Sequence, residues 1–369
     1  MEIIHIVLGK ANPERMNGVN KVVYQLATKQ FEHGLDVSVW GVTKKVVNNY
    51  GQRVFKTELF QKKNNPFEID DKLKTALLVK KGKATFHIHG GWVPLFSTIA
   101  KFLKTNNISY VFTPHGAYNI IAMQRNYLLK RIYFNVYEKY LIKNASKIHC
   151  IGSSEVDGLN KIVKVTNTIL LPYGFQAESN IFESNSSHDK MIIGFVGRLD
   201  IYTKGLDLLL KGFLDFQKSV PNSELWIIGD GEGKTKLERL AVKFKLTEKI
   251  IFFGSKFGSQ KNKLIKQMHV FTHPSRNEGL PSAVLEAANF GIPCVVSEAT
   301  NVGNYVNAYK AGITIKNNSS LAIKLALDSI YDLYRRKAMF SMKLNAQKMV
   351  RESFNWQKLI LQFNNLYEI

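Results

Sequence analysis

Residues 270–297 read VFTHPSRNEGLPSAVLEAANFGIPCVVS. An apolar run, VFTH, gives way to a polar loop, then to the helical pattern PSAVLEAANFG, then to a second apolar run, CVVS. Strand, helix, strand is the βαβ unit, which lays two parallel strands side by side with the helix across one face. Two glutamates stand in this stretch, Glu278 in the loop and Glu286 inside the helix, with seven residues between them. Each is a carboxylate placed where local structure alone gives no reason for one.

The same rhythm runs outward in both directions. After residue 188 come MIIGFVG, the helical GLDLLLKGFLDFQKS, ELWIIGD, the helical KTKLERLAVKFK and KIIFFGS. The first half repeats the theme with IIHIVLG, the helical VNKVVYQLATKQFEHG, DVSVWGV, ATFHIHGG, ISYVFTPHG and SKIHCIGSS. Alternating strands and helices predict an α/β protein with parallel sheets covered by helices. Many runs end in Gly, His or Ser, at the strand ends where open α/β sheets place ligands. A chain of 369 residues exceeds one ordinary core. The polar, aperiodic stretch 175–187 divides it into domains at 1–174 and 188–354. The closing FNWQKLILQFNNLYEI is amphipathic and helical over about 355–369.

Composition narrows the classes. Net charge is +22, spread over both halves, a field that draws anions such as phosphorylated small molecules, anionic lipid or nucleic acid. Cys150 and Cys294 sit in apolar runs and read as buried thiols of a reducing compartment. The N-terminal apolar run is too short for a signal sequence, and no stretch reaches the length of a membrane span. The expectation is a cytoplasmic protein. A nucleic-acid binder would need a groove-reading helix or a stacked-aromatic motif, and neither is present.

Three constellations bear charge. GFVGRLDIYTKGLDLLLKGF (194–213) puts Arg198 and Lys204 between a strand and a helix. They read either as solvated loop charges or as two cations converging with free helix N–H groups on a diphosphate. IIGDGEGKTKLERL (227–240) is a glycine-rich strand-to-helix turn that loosely resembles a dinucleotide fingerprint but reads as a tight turn at the domain cleft, and its spacing does not satisfy a Walker loop. In the opening stretch, Glu278 can accept from hydroxyls or sit beside developing positive charge. Glu286, among Ala, Val and Leu, reads either as a solvent-facing charge or as a carboxylate for paired hydroxyls.

Taken together, the residues resemble the retaining glycosyltransferases of family 4. The matching segments are EGLPSAVLE (278–286), the GR…KG pair at 197–205, NGVNKVV (17–23), FHIHGG (86–91) and TPHGAYN (113–119). The resemblance implies a GT-B fold: two Rossmann-like domains facing across a cleft, with the last helix crossing back to the N-terminal domain. It assigns the sugar-nucleotide donor to the C-terminal domain and the acceptor to the N-terminal one. It places Arg198 and Lys204 on the donor diphosphate and Glu286 on the ribose hydroxyls. Glu278, Gly279 and Leu280 go to the transferred sugar, and Gly18 to a loop approaching the phosphates. His115 approaches the donor sugar, and His89 and Gly90 lie on the acceptor side. The implied chemistry is front-face transfer with retention, from a UDP- or GDP-sugar and with no cofactor. Asp-x-Asp occurs nowhere in the chain, which points away from a metal-bridged diphosphate. Three positions depart from the family pattern: Asn17 before Gly18, Tyr173 where Asn precedes Gly, and Asn304 where an acid is frequent.

Residues 123–144, MQRNYLLKRIYFNVYEKYLIKN, interleave Arg125, Lys130, Arg131, Lys139 and Lys143 with aromatic and aliphatic residues. They read either as a core helix with a basic face or as a segment that lies on anionic lipid. The second reading places the protein on the inner face of the cell membrane, beside a saccharide or lipid-linked acceptor for surface glycan synthesis. A sugar-nucleotide 2-epimerase, and less so a basic nucleic-acid binder, are the competing functions.

Overall fold

The computed structural model describes every residue except 14–17, 120–121, 124–125, 177–189 and 369. The chain divides into two compact units, Met1–Gly174 with Trp356–Ile369, and Phe175–Asn355. The expected linker, 175–187, therefore falls mostly outside the described residues.

The first unit is built on seven parallel strands: β1 (Glu2–Leu8), β2 (Val37–Thr43), β3 (Lys56–Gln61), β4 (Ala84–His89), β5 (Tyr110–Thr113), β6 (Lys147–Cys150) and β7 (Thr168–Leu170). Their spatial order is β3-β2-β1-β4-β5-β6-β7. Central strands are buried on both faces, so they appear in the sequence as largely apolar runs, interrupted by buried polar residues such as His5, His87 and His89. Edge strand β3 buries only Phe60, and its KTELFQ carries no such run. Helices α1 (Gly18–Glu32), α2 (Asp71–Val79), α3 (Pro94–Thr105), α4 (Tyr127–Tyr133), α5 (Lys139–Lys143) and α6 (Ser153–Ile162) belong to this unit. The C-terminal helix α14 (Trp356–Tyr367) joins it too, burying Trp356, Leu359, Ile360, Phe363, Leu366 and Tyr367.

The second unit has six parallel strands: β8 (Met191–Val196), β9 (Ser223–Ile228), β10 (Ile250–Gly254), β11 (Val270–His273), β12 (Cys294–Ser297) and β13 (Gly312–Ile315). Their order is β10-β9-β8-β11-β12-β13. Helices α7 (Leu206–Ser219), α8 (Lys234–Lys243), α9 (Gly258–Ile265), α10 (Ser282–Asn289), α11 (Gly303–Tyr309), α12 (Ser320–Arg335) and α13 (Phe340–Ser353) complete it. Alternate strand residues feed two cores, one per face. Ile193, Phe195, Leu225 and Ile227 enter one; Ile192, Val196, Trp226 and Ile228 enter the other.

Both sheets follow the Rossmann order, in which the first and fourth strands lie side by side and their connections leave in opposite directions. Such a reversal opens a crevice at the strands' carboxyl ends, where doubly wound folds bind ligands. In the second unit that reversal lies between β8 and β11. Arg198 and Lys204 follow the first of these strands, and Glu278 follows the second.

Candidate active site

The loops after β8 and β11 are fastened to each other. Gly205 has φ +66°, and a Cβ there would lie 2.0 Å from the Pro274 carbonyl oxygen. Only glycine fits a left-handed backbone in such contact. Arg276 extends the fastening: its backbone N–H donates to Thr203 O at 2.8 Å, and its guanidinium makes a bidentate pair with Asp207 at 2.8 Å for each bond. Within the first loop, the Thr203 amide and hydroxyl both donate to the Asp200 carboxylate. The glycine-rich turn is a buttress for this loop: added Cβ atoms on Gly229 and Gly233 would collide with Gly197 O and Leu199 O. That packing explains its glycines without a cofactor.

Lys204 and Glu278 meet where the two loops converge. The Lys204 ammonium donates to Glu278 Oε1, which also accepts from Ser275 Oγ at 3.0 Å and lies 2.9 Å from His273 Nε2. Both charged side chains are largely covered, Lys204 being 16% and Glu278 13% exposed. Burial alone would raise the Glu278 carboxyl; Lys204 and His273 outweigh it and hold the group down to about 2. His273 is lowered by burial, with Glu278 opposing, and its ring stacks on Phe195 at 5.4 Å. Asn301 fixes the loop from outside, donating to the carbonyls of Glu278 (2.9 Å) and Gly279 (2.8 Å). Leu280 follows in the same partly exposed loop.

Glu286 lies in α10, 2.5 Å from Lys261 Nζ of α9. Arg198 differs from Lys204: its side chain is 65% exposed, and its nearest carboxylate, Asp200, stands at 3.6 Å. Of the two expected cations, one is anchored and one is reachable from solvent.

In the first unit, β5 ends at Thr113, and His115 follows with φ +57°. Two buried acids brace its loop. Glu155 accepts from the backbone N–H of Gly116 and, at 3.3 Å, of Ile151. Glu138 accepts from the Tyr118 hydroxyl and, at 3.1 Å, from the Trp92 N–H. Burial pushes Glu138 up to about 6 and Glu155 up to about 7. Tyr173, one of the departures from pattern, stacks on the His115 ring at 5.8 Å and 12°.

Two family models match consecutive parts of the chain: "Glycosyltransferase Family 4" over residues 16–174 and "Glycosyl transferases group 1" over residues 176–349. The chain belongs to glycosyltransferase family 4. Among its curated relatives is the phosphatidylinositol N-acetylglucosaminyltransferase gpi3 subunit of Schizosaccharomyces pombe, 24% identical over 216 residues, covering 58% of this chain and 46% of that one. The glycosyltransferase spans about half the length of the curated relatives it matches first. Among solved structures it superposes on sucrose-phosphate synthase from Thermosynechococcus elongatus with a TM-score of 0.79 at 18% identity, covering 99% of this chain and 98% of that one. Anabaena Alr3699/HepE in complex with UDP-glucose gives 0.76 at 14% identity, with the same coverage. Likeness at such identity establishes the GT-B fold and nothing finer.

Within this glycosyltransferase, some expected residues change standing. His89 is 1% exposed and lies between His5 and His115 at hydrogen-bond distance from both. It is therefore removed from the surface, and its link toward the partly exposed His115 is that hydrogen bond. Gly90, with φ +116°, turns the chain out of β4. Gly18 opens α1, and among the described residues no atom lies within 4 Å of a Cβ built on it. The tight position of that loop is Gly9, where a Cβ would meet Asn20 Oδ1 at 2.6 Å. Asn17 lies outside the described residues, and Asn304 is exposed on α11. His273, Ser275, Lys261, Glu138 and Glu155 escape a reading of the sequence. His273 had a signal, a polar residue closing an apolar strand; Lys261 is one lysine among many.

Proposed function

We propose that this glycosyltransferase moves a sugar, with retention of configuration and without a metal, from a nucleoside diphosphate to a saccharide or lipid-linked saccharide acceptor. The observation that carries the reading is the Lys204–Glu278–His273–Ser275 cluster at the switch point of the second sheet. Glu278 takes one of the three N–H donors of the Lys204 ammonium and fixes its position. The others face the leaving diphosphate together with the exposed Arg198 guanidinium, so negative charge finds preorganised partners as it develops. Glu286, held by Lys261, takes the ribose hydroxyls. The loop at Glu278, Gly279 and Leu280 adjoins the transferred sugar, and Gly18 lies on the approach to the phosphates. His115 accepts a hydrogen bond from a hydroxyl of that sugar.

In the transfer step the glycosidic C–O bond to the diphosphate breaks as the acceptor oxygen bonds to the same carbon. The acceptor's proton passes to the departing phosphoryl oxygen on the same face. A UDP-sugar is the first donor to test, since HepE, a neighbour in fold, is recorded with UDP-glucose. The lipid-linked acceptor draws support from the phosphatidylinositol-directed relative and from an apolar, basic surface on the first unit. There Leu128, Leu129, Ile132 and Val136 are exposed beside Lys130 and Arg131.

A thermal-shift screen across UDP- and GDP-sugars tests the donor site. The cognate donor should raise the melting temperature of the parent protein, and Arg198→Ala and Glu286→Ala should each lose most of that rise. A full shift in both variants would remove the assignment. Release of an epimerised sugar nucleotide in the absence of acceptor would replace transfer by 2-epimerisation.

A further inference from the structure

One face of the first sheet buries polar side chains where hydrocarbon is usual. His5 of β1, His87 and His89 of β4, Thr113 of β5 and His149 of β6 all point to it, alongside Gln30 of α1 and Tyr367 of α14. Buried polar atoms need partners, and here they find one another. His149 Nε2 lies 2.7 Å from the Leu171 carbonyl oxygen, and its Nδ1 lies 2.8 Å from Thr113 Oγ1. His87 Nε2 is 2.6 Å from the same hydroxyl, and its Nδ1 is 3.0 Å from Tyr367 Oη. The Gln30 amide nitrogen donates to Tyr367 Oη at 3.1 Å, and Gln30 Oε1 lies 2.6 Å from His5 Nε2. His5 Nδ1 is 2.9 Å from His89 Nε2, and His89 Nδ1 is 3.0 Å from His115 Nε2.

A neutral imidazole offers one donor and one acceptor, so one fixed end orders every proton. A carbonyl oxygen accepts, so His149 carries its proton on Nε2 and accepts from Thr113. The Thr113 oxygen accepts from His87 Nε2–H, whose Nδ1 accepts from the Tyr367 hydroxyl. Tyr367 accepts from Gln30, which accepts from His5 Nε2–H; His5 accepts from His89, and His89 from His115. Donors and acceptors match along the whole chain. It ends on the partly exposed His115 with the proton on Nε2 and the lone pair on Nδ1. Burial keeps the rings uncharged: His5 and His149 are lowered to about 4 and His115 to about 3.

We infer that this chain of hydrogen bonds is a tautomer lock, in which His89, His5, Gln30, Tyr367, His87, Thr113 and His149 act as positioning residues that make His115 Nδ1 a hydrogen-bond acceptor for a sugar hydroxyl. The inference rests on the contact assigned to His115 in the proposed function. The chain does not carry a proton away, because it passes through a carboxamide and stops at a peptide carbonyl, neither of which is basic at neutral pH. His5, His87 and His89 also hold ring nitrogens within 4.8 Å of one another, a spacing open to one metal ion. Zinc would take the lone pairs that these hydrogen bonds already use.

Nitrogen–proton NMR correlations on the full chain with isotope-labelled histidine read each tautomer directly, with His115→Asn identifying the His115 signals. At pH 7 the five histidines should be neutral with the proton on Nε2. A cationic or Nδ1–H His115 would overturn the lock, as would stoichiometric zinc that survives a chelator wash. Tyr367→Phe removes the acceptor that orients the Gln30 amide, so the amide is free to rotate and the order of donors upstream is no longer fixed. A measurable part of His115 should then carry its proton on Nδ1. Gln30→Glu keeps an acceptor for His5 and should retain Nε2–H. An unmoved tautomer in folded Tyr367→Phe, or a reversed one in Gln30→Glu, contradicts the chain. With the sugar nucleotide that gives the largest thermal shift, Tyr367→Phe should lower kcat in proportion to the Nδ1–H fraction of His115, at unchanged KM. An Nδ1–H population with unchanged kcat would refute the positioning role. If His115→Asn itself leaves kcat intact, the fault lies instead with the sugar contact assigned to His115.

Discussion

Glu278 is a carboxylate whose first task is to hold a cation. Three donors converge on one of its oxygens, and its partner Lys204 is nearly as covered as it is. Its carboxyl moves from an ordinary value of 4.5 down to about 2, so folding gains stability from its ionised form. That gain is fully present above the unfolded value and is lost as pH falls through about 2; it amounts to about 3 kcal/mol. Glu278→Gln strands a covered ammonium and should cost on the order of 3 kcal/mol at pH 7. Near pH 3 the parent has already lost part of its own gain, so the difference between the two proteins should shrink. Urea denaturation at both pH values measures it, and an equal gap at each would mean that the carboxylate is not held by its charge. Arg198 gives the contrasting case. It is exposed and only loosely paired, so Arg198→Ala should spare stability while weakening donor binding.

At the scale of elements, two strand-to-helix loops make the site, and their glycines do different work. Gly205→Ala places a methyl against the Pro274 carbonyl in a left-handed backbone, and should cost about 2–4 kcal/mol in chemical denaturation. Gly18→Ala meets no atom of the described residues within 4 Å and should change stability by less than about 0.5 kcal/mol. Loss of donor stabilisation in that variant would then report on the ligand alone. The same contrast accounts for what the sequence made legible. Strands buried on both faces leave apolar runs, and loops between strand and helix leave Gly, Pro and charge, so the βα order and Lys204, Glu278 and Glu286 could be read. Edge strand β3 buries only Phe60 and leaves no run. The histidine chain stayed hidden because its members lie far apart in sequence: His87 bonds Tyr367, and His89 bonds His115 only after β4 and β5 are paired. Lys261 was hidden for the opposite reason, since a lysine in a polar helix has no distinguishing neighbours until α10 sets Glu286 beside it.

Across the whole molecule, the +22 charge favours anionic partners without choosing one, and surface apolarity makes the choice. Among the described residues, no helix is long and apolar enough to cross a membrane. Helix α4 nevertheless buries none of its side chains, with Leu128 74%, Leu129 71% and Ile132 63% exposed. Lys130 and Arg131 belong to the same short helix; Arg125 lies outside the described residues. Exposed leucines beside basic residues match an anionic bilayer, whose acyl region takes the first and whose headgroups attract the second. Nucleic acid offers no such apolar layer. Fully burying a leucine or isoleucine gains about 1.5–3 kcal/mol, so even partial insertion of three outweighs what two cations add at about 1 kcal/mol each. The protein should therefore cosediment with phosphatidylglycerol vesicles and, more weakly but measurably, with neutral phosphatidylcholine vesicles. The triple substitution Leu128→Ser, Leu129→Ser, Ile132→Ser should weaken that binding at least tenfold. Charge reversal by Lys130→Glu and Arg131→Glu should weaken it less, by an amount that disappears at high salt. Undiminished vesicle binding by the triple variant would move the docking surface elsewhere on the molecule, and leave α4 free to receive a protein partner instead.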